Sequence, residues 1–527
     1  MKNTTILPKI FKKRMTIKKE FKSSKIDWVA TIVPLLGIIL LCGLFVIVPE
    51  QSKLFLTTVR NFLGDDMGIY YILLGNLSLG ATMFIAFSKY GKIKLGNIDK
   101  PKYNSFTWGS MIFTSTMAAD ILFYSLCEWA LYANEPHVEQ MTGGTQVWAA
   151  TFPLFHWGPI AWSFYIVLAV AFGFMLHVKG RTKQKFSEAC RPILGSKVDG
   201  PIGKVIDLIA IFSLLAGTAT TFSLATPLLS AALADVFGIS ATTLLTIIIL
   251  LMIALVYTIT VLTGMKGIAK LANYCVYIFF SLLIYFFIGG GETRYILETG
   301  VSSLGNLIQN FIVLSTATDP LRETMFPQNW TIYYWAYWMV WCVATPFFIG
   351  MISKGRTIKN TVIGGYCWGL AGTFTSFIIL GNYGLAQQMK HGLNAAGTIY
   401  TNTGAVSSET IVSIFNTLPL HAIALILLCT SMVTFYATTF DALTMVVSSY
   451  SYKELKVDQE PDKKLRTFWA ILFIMLPIAL LFSENSLNNL QSVSIVFAFP
   501  IGIIVIIIVA SFFKSAKKYL NGDKDGE

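Results

Sequence analysis

Long apolar stretches alternate with short polar connections along nearly the whole chain. A helix needs about 18 or more apolar residues to cross a bilayer, and the longer stretches reach that length. Their approximate bounds are residues 28–48, 69–89, 107–131, 147–178, 203–233, 241–263, 271–290, 328–353, 361–382, 420–450, 467–483 and 490–513. Stretches beyond about 25 residues must tilt, bend or project from the bilayer. The pattern predicts an all-α polytopic membrane protein with twelve transmembrane helices.

The composition agrees with this class of protein. Of the 527 residues, 54% are hydrophobic and 13% are charged, whereas soluble domains carry about 25% charged residues. The longest connection between predicted spans, residues 291–327, leaves no room for a soluble domain and contains an amphipathic segment that predicts an interfacial helix. The functional chemistry must therefore lie among the spans.

The net charge of +12 is distributed by topology. Lysine and arginine cluster in the tail 1–27 and in alternate connections such as 88–102 and 177–197, while the connections 134–144 and 291–327 between them are poor in both. This distribution follows the positive-inside rule and places both termini in the cytoplasm of a cell-membrane protein. It does not indicate a nucleic-acid partner.

Cysteines and histidines form no pattern of a catalytic or metal site. The seven cysteines are odd in number and lack a CxxC pair, so neither a disulfide framework nor a zinc site is indicated. The five histidines are spread over the chain. We therefore expect neither an enzyme nor a resident metal.

Several predicted spans are interrupted by small or polar residues. The third contains TSTMAAD (114–120), the fifth AGTATTFS (216–223), the eighth CVATPFF (342–348) and the tenth TFYATTFDA (434–442). Irregular backbone at membrane depth is tolerated where it is buried in protein or lines a cavity. Broken helices at corresponding places in two halves are typical of secondary transporters, with the third and eighth spans here heading two five-helix repeats.

Asp120 lies in the middle of the apolar third span. A carboxylate near the bilayer centre costs about 2.5–3.5 kcal/mol even on insertion scales, so it needs a partner. That partner is either a cationic substrate, a neighbouring hydroxyl or backbone amide, or a proton that is transported with the substrate. The residues alone leave these alternatives open.

The eighth span is unusually aromatic. Trp330, Tyr333, Tyr334 and Trp335 at its outer end fit an interfacial aromatic belt. One helical face, at spacings i, i+3, i+4, i+7 and i+11, carries Tyr334, Tyr337, Trp338, Trp341 and Thr345. Trp341 lies about 16 Å beyond Trp330 along the helix, too deep for a belt. Either core packing or a binding site accounts for it.

The stretch FPQNWTIYYWAYWMVWCVATPFFIGMISKGRTIKN (326–360) resembles the eighth-helix signature of the betaine/choline/carnitine transporter family. PLFHWGPIAW, FYSLCEW, LATPLL and ATTFDA resemble its fourth, third, fifth and tenth helices, so the resemblance covers about residues 28–514. It implies a LeuT-like fold of two inverted five-helix repeats, often assembled as a homotrimer. The implied parts are a tail (1–27), two N-terminal helices (28–106), the first repeat (107–290), an external loop (291–327), the second repeat (328–513) and a tail (514–527).

The resemblance implies a quaternary-ammonium substrate. Such a cation cannot donate hydrogen bonds, so aromatic rings hold it through cation–π contacts of roughly 0.5–2 kcal/mol each. Trp338 and Trp341 would line the central site with Trp157 facing them, and Tyr337 stands where a tryptophan is common. Trp162 is expected to pack in the core.

In much of the family the third-helix bend is glycine-rich. Here Met117 aligns with its methionine and Asp120 with its last glycine, and family members that take choline resemble this sequence in carrying an aspartate there. The resemblance therefore predicts choline uptake, with Asp120 as the counter-ion. Glu128 matches a widespread glutamate and is expected to be structural. The alternative is an importer or exchanger of zwitterionic betaine or carnitine, and an osmosensor is disfavoured by the short tail after residue 513.

The resemblance also implies a coupling ion, sodium or a proton, and no other cofactor. Thr438 and Thr439 match the sodium-binding positions of the tenth helix, with the Met117 carbonyl facing them. Thr220 and Thr221 would serve a second ion. The alternative is that these threonines bond to carbonyls of their own helices.

Overall fold

The computed structural model describes residues 26–114, 116, 118–181, 183–261, 264–455, 459–482 and 487–522. Within these ranges the chain is helical, and extended pairing is confined to isolated bridges such as Ile26 with Tyr452. The main helices are α1 (Trp28–Ile47), α2 (Pro49–Asn61), α3 (Ile69–Phe87), α4 (Ser105–Thr114), α5 (Ala118–Ala133), α6 (Gly144–His156), α7 (Pro159–His177), α8 (Pro201–Phe237), α9 (Thr243–Val261), α10 (Gly264–Ile284), α11 (Thr293–Thr316), α12 (Ile332–Val340), α13 (Thr345–Ile352), α14 (Ile358–Ser376), α15 (Asn382–His391), α16 (Ser408–Phe415), α17 (His421–Tyr450), α18 (Lys463–Phe482) and α19 (Leu487–Leu520).

Seven helices in the described part of the chain are long and apolar enough to cross a membrane, and ten if each of three bent pairs forms one span. The architecture is that of an all-helical polytopic membrane protein. The predicted span 241–263 corresponds to α9, whose apolar part, Thr243–Ile259, is shorter than a full span. The predicted span 467–483 lies in α18 and ends where the described residues stop. The count of twelve and the LeuT-like arrangement stay predictions.

Two of the four spans predicted to be broken, the third and the eighth, are bent pairs. The predicted interruptions at 216–223 and 434–442 are wrong, because these segments lie within the continuous helices α8 and α17. α4 and α5 are bent by 62°, and α12 and α13 by 52°. In the second pair a short 3₁₀ turn, Trp341–Val343, separates the helices, and Pro346 stands in the first turn of α13. Proline is tolerated there because the first N–H groups of a helix have no intrahelical acceptor. The break therefore falls where the sequence can accept it.

α7 is enclosed by protein along almost its whole length. The helix is apolar on all sides, and every residue from Ile160 to Leu176 is buried. A helix that is hydrophobic all round needs protein or lipid on every face. Here protein supplies it, so α7 stands inside the bundle and can contribute side chains to an internal site.

Candidate functional site

Four buried aromatic side chains meet between α6, α7 and α12. Around the Trp338 ring lie Trp157 at 5.5 Å, Trp162 at 5.4 Å and Tyr165 at 4.7 Å, measured between ring centroids. The two indoles approach Trp338 edge-on, an arrangement that aromatic quadrupoles favour. We call Trp157, Trp162, Tyr165 and Trp338 the aromatic cluster.

The junction between α6 and α7 brings Trp157 into this cluster. α6 ends at His156 and α7 begins at Pro159. A Cβ atom on Gly158 would lie only 2.4 Å from the Leu154 carbonyl oxygen, so the close turn requires glycine. Proline at the first position of α7 then starts the helix without losing a hydrogen bond.

The aromatic cluster differs in membership from the set proposed on sequence grounds. Trp157 and Trp338 are in contact, and Trp162, expected only to pack, contacts Trp338 as well. Tyr165 was missed, although it lies at i+3 from Trp162 on the same face of α7. Trp341 packs against α8, where a Cβ atom added to Gly217 would lie 3.1 Å from the Trp341 Nε1 atom.

The prediction that aromatic residues form an interfacial belt at the outer end of the eighth span is wrong. The four side chains concerned are each 2% exposed or less, so they face protein. They are Trp330, Tyr333, Tyr334 and Trp335. Tyr334 stacks on His156 at 4.8 Å, and Trp330 donates to Glu135 through Nε1 at 2.8 Å. These rings belong to the core of the bundle, where they pack beside the aromatic cluster.

Glu128 anchors Trp157 from α5. Its Oε2 accepts a hydrogen bond from Trp157 Nε1 at 2.7 Å, and its Oε1 accepts one from the Tyr132 hydroxyl at 2.7 Å. Tyr132 also contacts His156 Nδ1 at 2.5 Å, and His156 Nε2 lies 3.0 Å from Thr331 Oγ1. Both carboxylate oxygens are therefore used inside the protein, which is consistent with a structural role.

Asp120 has a different environment on the same helix. Its side chain is buried, and Oδ2 accepts a hydrogen bond from Thr221 Oγ1 at 3.0 Å. Thr221 in turn lies 3.2 Å from the Tyr337 hydroxyl, which joins α5, α8 and α12. Oδ1 has no hydrogen-bond partner within the described residues. We call Asp120, Thr221 and Tyr337 the polar triad.

Tyr124 connects the polar triad to the aromatic cluster. It stands one turn beyond Asp120 on α5, and its ring lies 6.2 Å from Tyr337 and 5.4 Å from Trp157. Since Tyr337 and Trp338 are also adjacent in α12, the two groups are neighbouring parts of one buried region. A buried carboxylate oxygen without a partner thus stands near a group of buried aromatic rings.

The threonines predicted to bind ions lie in two places, one pair on α17 and one on α8. Thr438 Oγ1 lies 3.0 Å from the Thr114 carbonyl and also 3.1 Å and 3.0 Å from the Thr434 and Phe435 carbonyls of its own helix. Thr439 Oγ1 lies 3.0 Å and 3.3 Å from the Thr114 and Thr116 carbonyls. Hydroxyls of α17 therefore meet loosened backbone at the end of α4. Thr220 bonds to Ala216 of its own helix and contacts Ser494 at 3.4 Å. Met117 lies outside the described residues.

Comparison with known proteins gives the family. The sequence model of the betaine/carnitine/choline transporter family matches residues 29–521. The glycine betaine transporter OpuD of Bacillus subtilis is 31% identical over 484 residues, 90% of this chain and 91% of that protein. A carnitine transporter of Acinetobacter baumannii is 27% identical, covering 83% of this chain and 79% of that protein. The high-affinity choline transport protein of Escherichia coli is 26% identical, covering 91% and 71%.

These relatives are transporters rather than enzymes. The match extends from α1 to the end of α19, so it includes the bent pairs α4–α5 and α12–α13, the aromatic cluster and the polar triad. The chain belongs to the betaine/carnitine/choline family of membrane transporters.

Proposed function

We propose that this transporter takes up choline, with Asp120 as the counter-ion of the cationic substrate. The observation that carries the proposal is the Oδ1 atom of Asp120, which is buried and has no hydrogen-bond partner within the described residues. A buried charge without a partner costs several kcal/mol. A cation bound beside Asp120 would remove that cost, and choline supplies a positive charge without a carboxylate of its own.

The aromatic cluster supports a quaternary ammonium as the cationic group. Its four rings provide apolar contact and negative π faces, which hold a quaternary ammonium group whose nitrogen carries no hydrogen to donate. Trp157 and Trp338, with Tyr337 beside them, would line the site together with Trp162 and Tyr165. Trp341 and Met117 are assigned to the site only by the resemblance described above.

The decisive measurement is uptake of labelled choline and glycine betaine into proteoliposomes. Wild type should take up choline, and Asp120→Asn should lower choline uptake at least about tenfold, because losing one member of a buried charge pair costs about 2–5 kcal/mol. Asp120→Glu is the matched control: it keeps the charge and should retain the preference for choline. Undiminished choline uptake by Asp120→Asn would contradict the counter-ion role.

A second candidate function is import or exchange of glycine betaine or carnitine. The observation that favours it is the similarity to relatives named as glycine betaine and carnitine transporters. The unpartnered Asp120 oxygen opposes it, because the substrate's carboxylate would add a second negative charge to the same buried region. Betaine uptake that survives Asp120→Asn, without choline uptake, would establish this alternative.

We further propose that transport is coupled to sodium or protons. Thr438 and Thr439, with the Met117 carbonyl, would bind sodium, and the contacts of both threonines with Thr114 support this. Thr220 and Thr221 would contribute to a second ion. Imposing a sodium or a proton gradient on the proteoliposomes distinguishes the two ions. Thr439→Val should strongly lower uptake that a sodium gradient drives and should leave uptake that a proton gradient drives unchanged.

The finer architecture is part of the same proposal. We infer twelve spans, with a first five-helix repeat over residues 107–290 and a second over 328–513, in a homotrimer of the cell membrane with both termini in the cytoplasm. The bent pairs α4–α5 and α12–α13, one in each proposed repeat, support the repeat assignment. Cysteine accessibility from each side of the membrane tests the orientation.

A further inference from the structure

The hydrogen atoms of the polar triad are all directed inward. Thr221 has a single hydroxyl hydrogen, and it donates this hydrogen to Asp120 Oδ2. In the 3.2 Å contact between Thr221 and Tyr337, the tyrosine must then be the donor. The Tyr337 hydroxyl also lies close enough to the Asp120 carboxylate to interact with it directly. Both hydroxyl hydrogens are therefore directed toward Asp120, that of Tyr337 either through Thr221 or directly.

The triad therefore offers a ligand acceptors and no donors. Asp120 Oδ1 is free of partners in the described part of the chain, and the Tyr337 oxygen keeps a lone pair after donating its hydrogen. A ligand that brings a hydrogen-bond donor satisfies these atoms. One that brings a further acceptor, such as a carboxylate, leaves them unpaired and adds repulsion.

We propose that the polar triad selects cations that carry a hydroxyl group, whose hydrogen is donated to Asp120 Oδ1. This inference rests on the proposed function and adds a requirement to it. A quaternary nitrogen has no N–H, so the donor must come from another group of the cation, and in choline that group is the hydroxyl. Asp120 then recognises both the charge and the hydroxyl, while Tyr337 is a positioning residue that acts through Thr221 and through its own contact with the Asp120 carboxylate.

A pair of nearly isosteric cations tests the requirement. In n-propyltrimethylammonium a methyl group replaces the hydroxyl of choline, and the charge is the same. Purified wild-type protein in detergent is equilibrated with labelled choline, and each unlabelled cation is used as competitor. A site built to bond a hydroxyl discriminates strongly against the analogue that lacks it, so we expect at least about tenfold weaker competition by the propyl compound.

Two tyrosine variants locate the selectivity. Tyr337→Phe removes the hydroxyl that orients Thr221 and should reduce the preference for choline severalfold. Tyr333→Phe is the matched control: Tyr333 lies one turn away on α12, its ring stacks on Tyr337 at 5.6 Å, and its hydroxyl contacts Tyr124 at 2.7 Å. This control should retain the wild-type preference.

The outcomes separate the inference from the proposed function. Equal competition by both cations in wild type overturns hydroxyl selection and leaves choline binding intact. A loss of preference in Tyr333→Phe equal to that in Tyr337→Phe overturns the role of the triad. If wild type binds no labelled choline, the proposed function fails and the inference fails with it. The comparison of the two cations is made on the wild-type protein, so it does not depend on whether a variant folds.

Discussion

Asp120 and Glu128 are two buried carboxylates on the same helix, roughly 12 Å apart along its axis. Both oxygens of Glu128 accept hydrogen bonds, one from Tyr132 and one from Trp157. In Asp120, Oδ2 accepts a hydrogen bond from Thr221, and Oδ1 has no hydrogen-bond partner among the described residues. Burial therefore does not distinguish the acid that we propose binds the substrate from the other one. The unused bonding capacity of the carboxylate distinguishes it.

The largest expected difference between the two acids is in stability. Glu128→Met leaves the Trp157 N–H and the Tyr132 hydroxyl without their acceptors, and each such loss costs about 1–3 kcal/mol. Asp120→Leu leaves only the Thr221 hydroxyl without its acceptor and also removes an incompletely paired buried charge, so its net cost should be smaller. Thermal unfolding in detergent should therefore give a much lower midpoint for Glu128→Met than for Asp120→Leu. Equal losses would remove the distinction drawn between the two residues.

A smaller effect is expected on binding when Glu128 is made neutral. In Glu128→Gln the amide oxygen still accepts one hydrogen bond, but the NH₂ group cannot accept the other, so Trp157 is held less firmly. Choline affinity should fall severalfold while the ratio of choline to betaine affinity stays unchanged, because Asp120 is intact. Equilibrium binding of both labelled solutes measures this. A changed ratio would show that Glu128 also contributes to substrate selection.

The smallest effect is expected at the far end of the Glu128 network. Thr331→Val removes one partner of His156, whose other ring nitrogen contacts Tyr132. A single hydrogen bond contributes about 1 kcal/mol, so the unfolding midpoint should fall slightly and choline binding should stay unchanged. Loss of binding as large as that in Glu128→Gln would mean that the whole network, not Glu128 alone, positions Trp157.

The sequence predicts two of the four proposed breaks correctly, those in the third and eighth spans, because their causes are local. It is wrong for the fifth and tenth, where small and polar residues are accommodated in the continuous helices α8 and α17. A run of small and polar residues marks the break before α5, and Pro346 marks the start of α13. The turn of 112° between α1 and α2 was not foreseen, since residues 49–66 are too polar to read as part of a span. The number of spans depends on helix ends, which hydropathy determines only loosely.

The site was harder to predict because side-chain direction depends on tertiary packing. The helical spacing that grouped Trp338 with Trp341 ends at Val340, where the chain enters a 3₁₀ turn and Trp341 turns toward α8. Thr220 and Thr221 are adjacent, so they point about 100° apart around α8, one toward Ser494 and one toward Asp120. Sequence alone gives neither direction.

The burial of α7 has a consequence for the synthesis of the protein. Chains emerge from the N-terminus, so α6 and α7 enter the membrane well before α12 exists. Until then Trp157 and Trp162 lack the ring of Trp338 against which they pack in the finished protein. The nascent chain must pass through a stage in which lipid, or a membrane chaperone, covers these surfaces. Completion of the aromatic cluster is therefore a late event of biogenesis, and a chain that stops before α12 cannot form it.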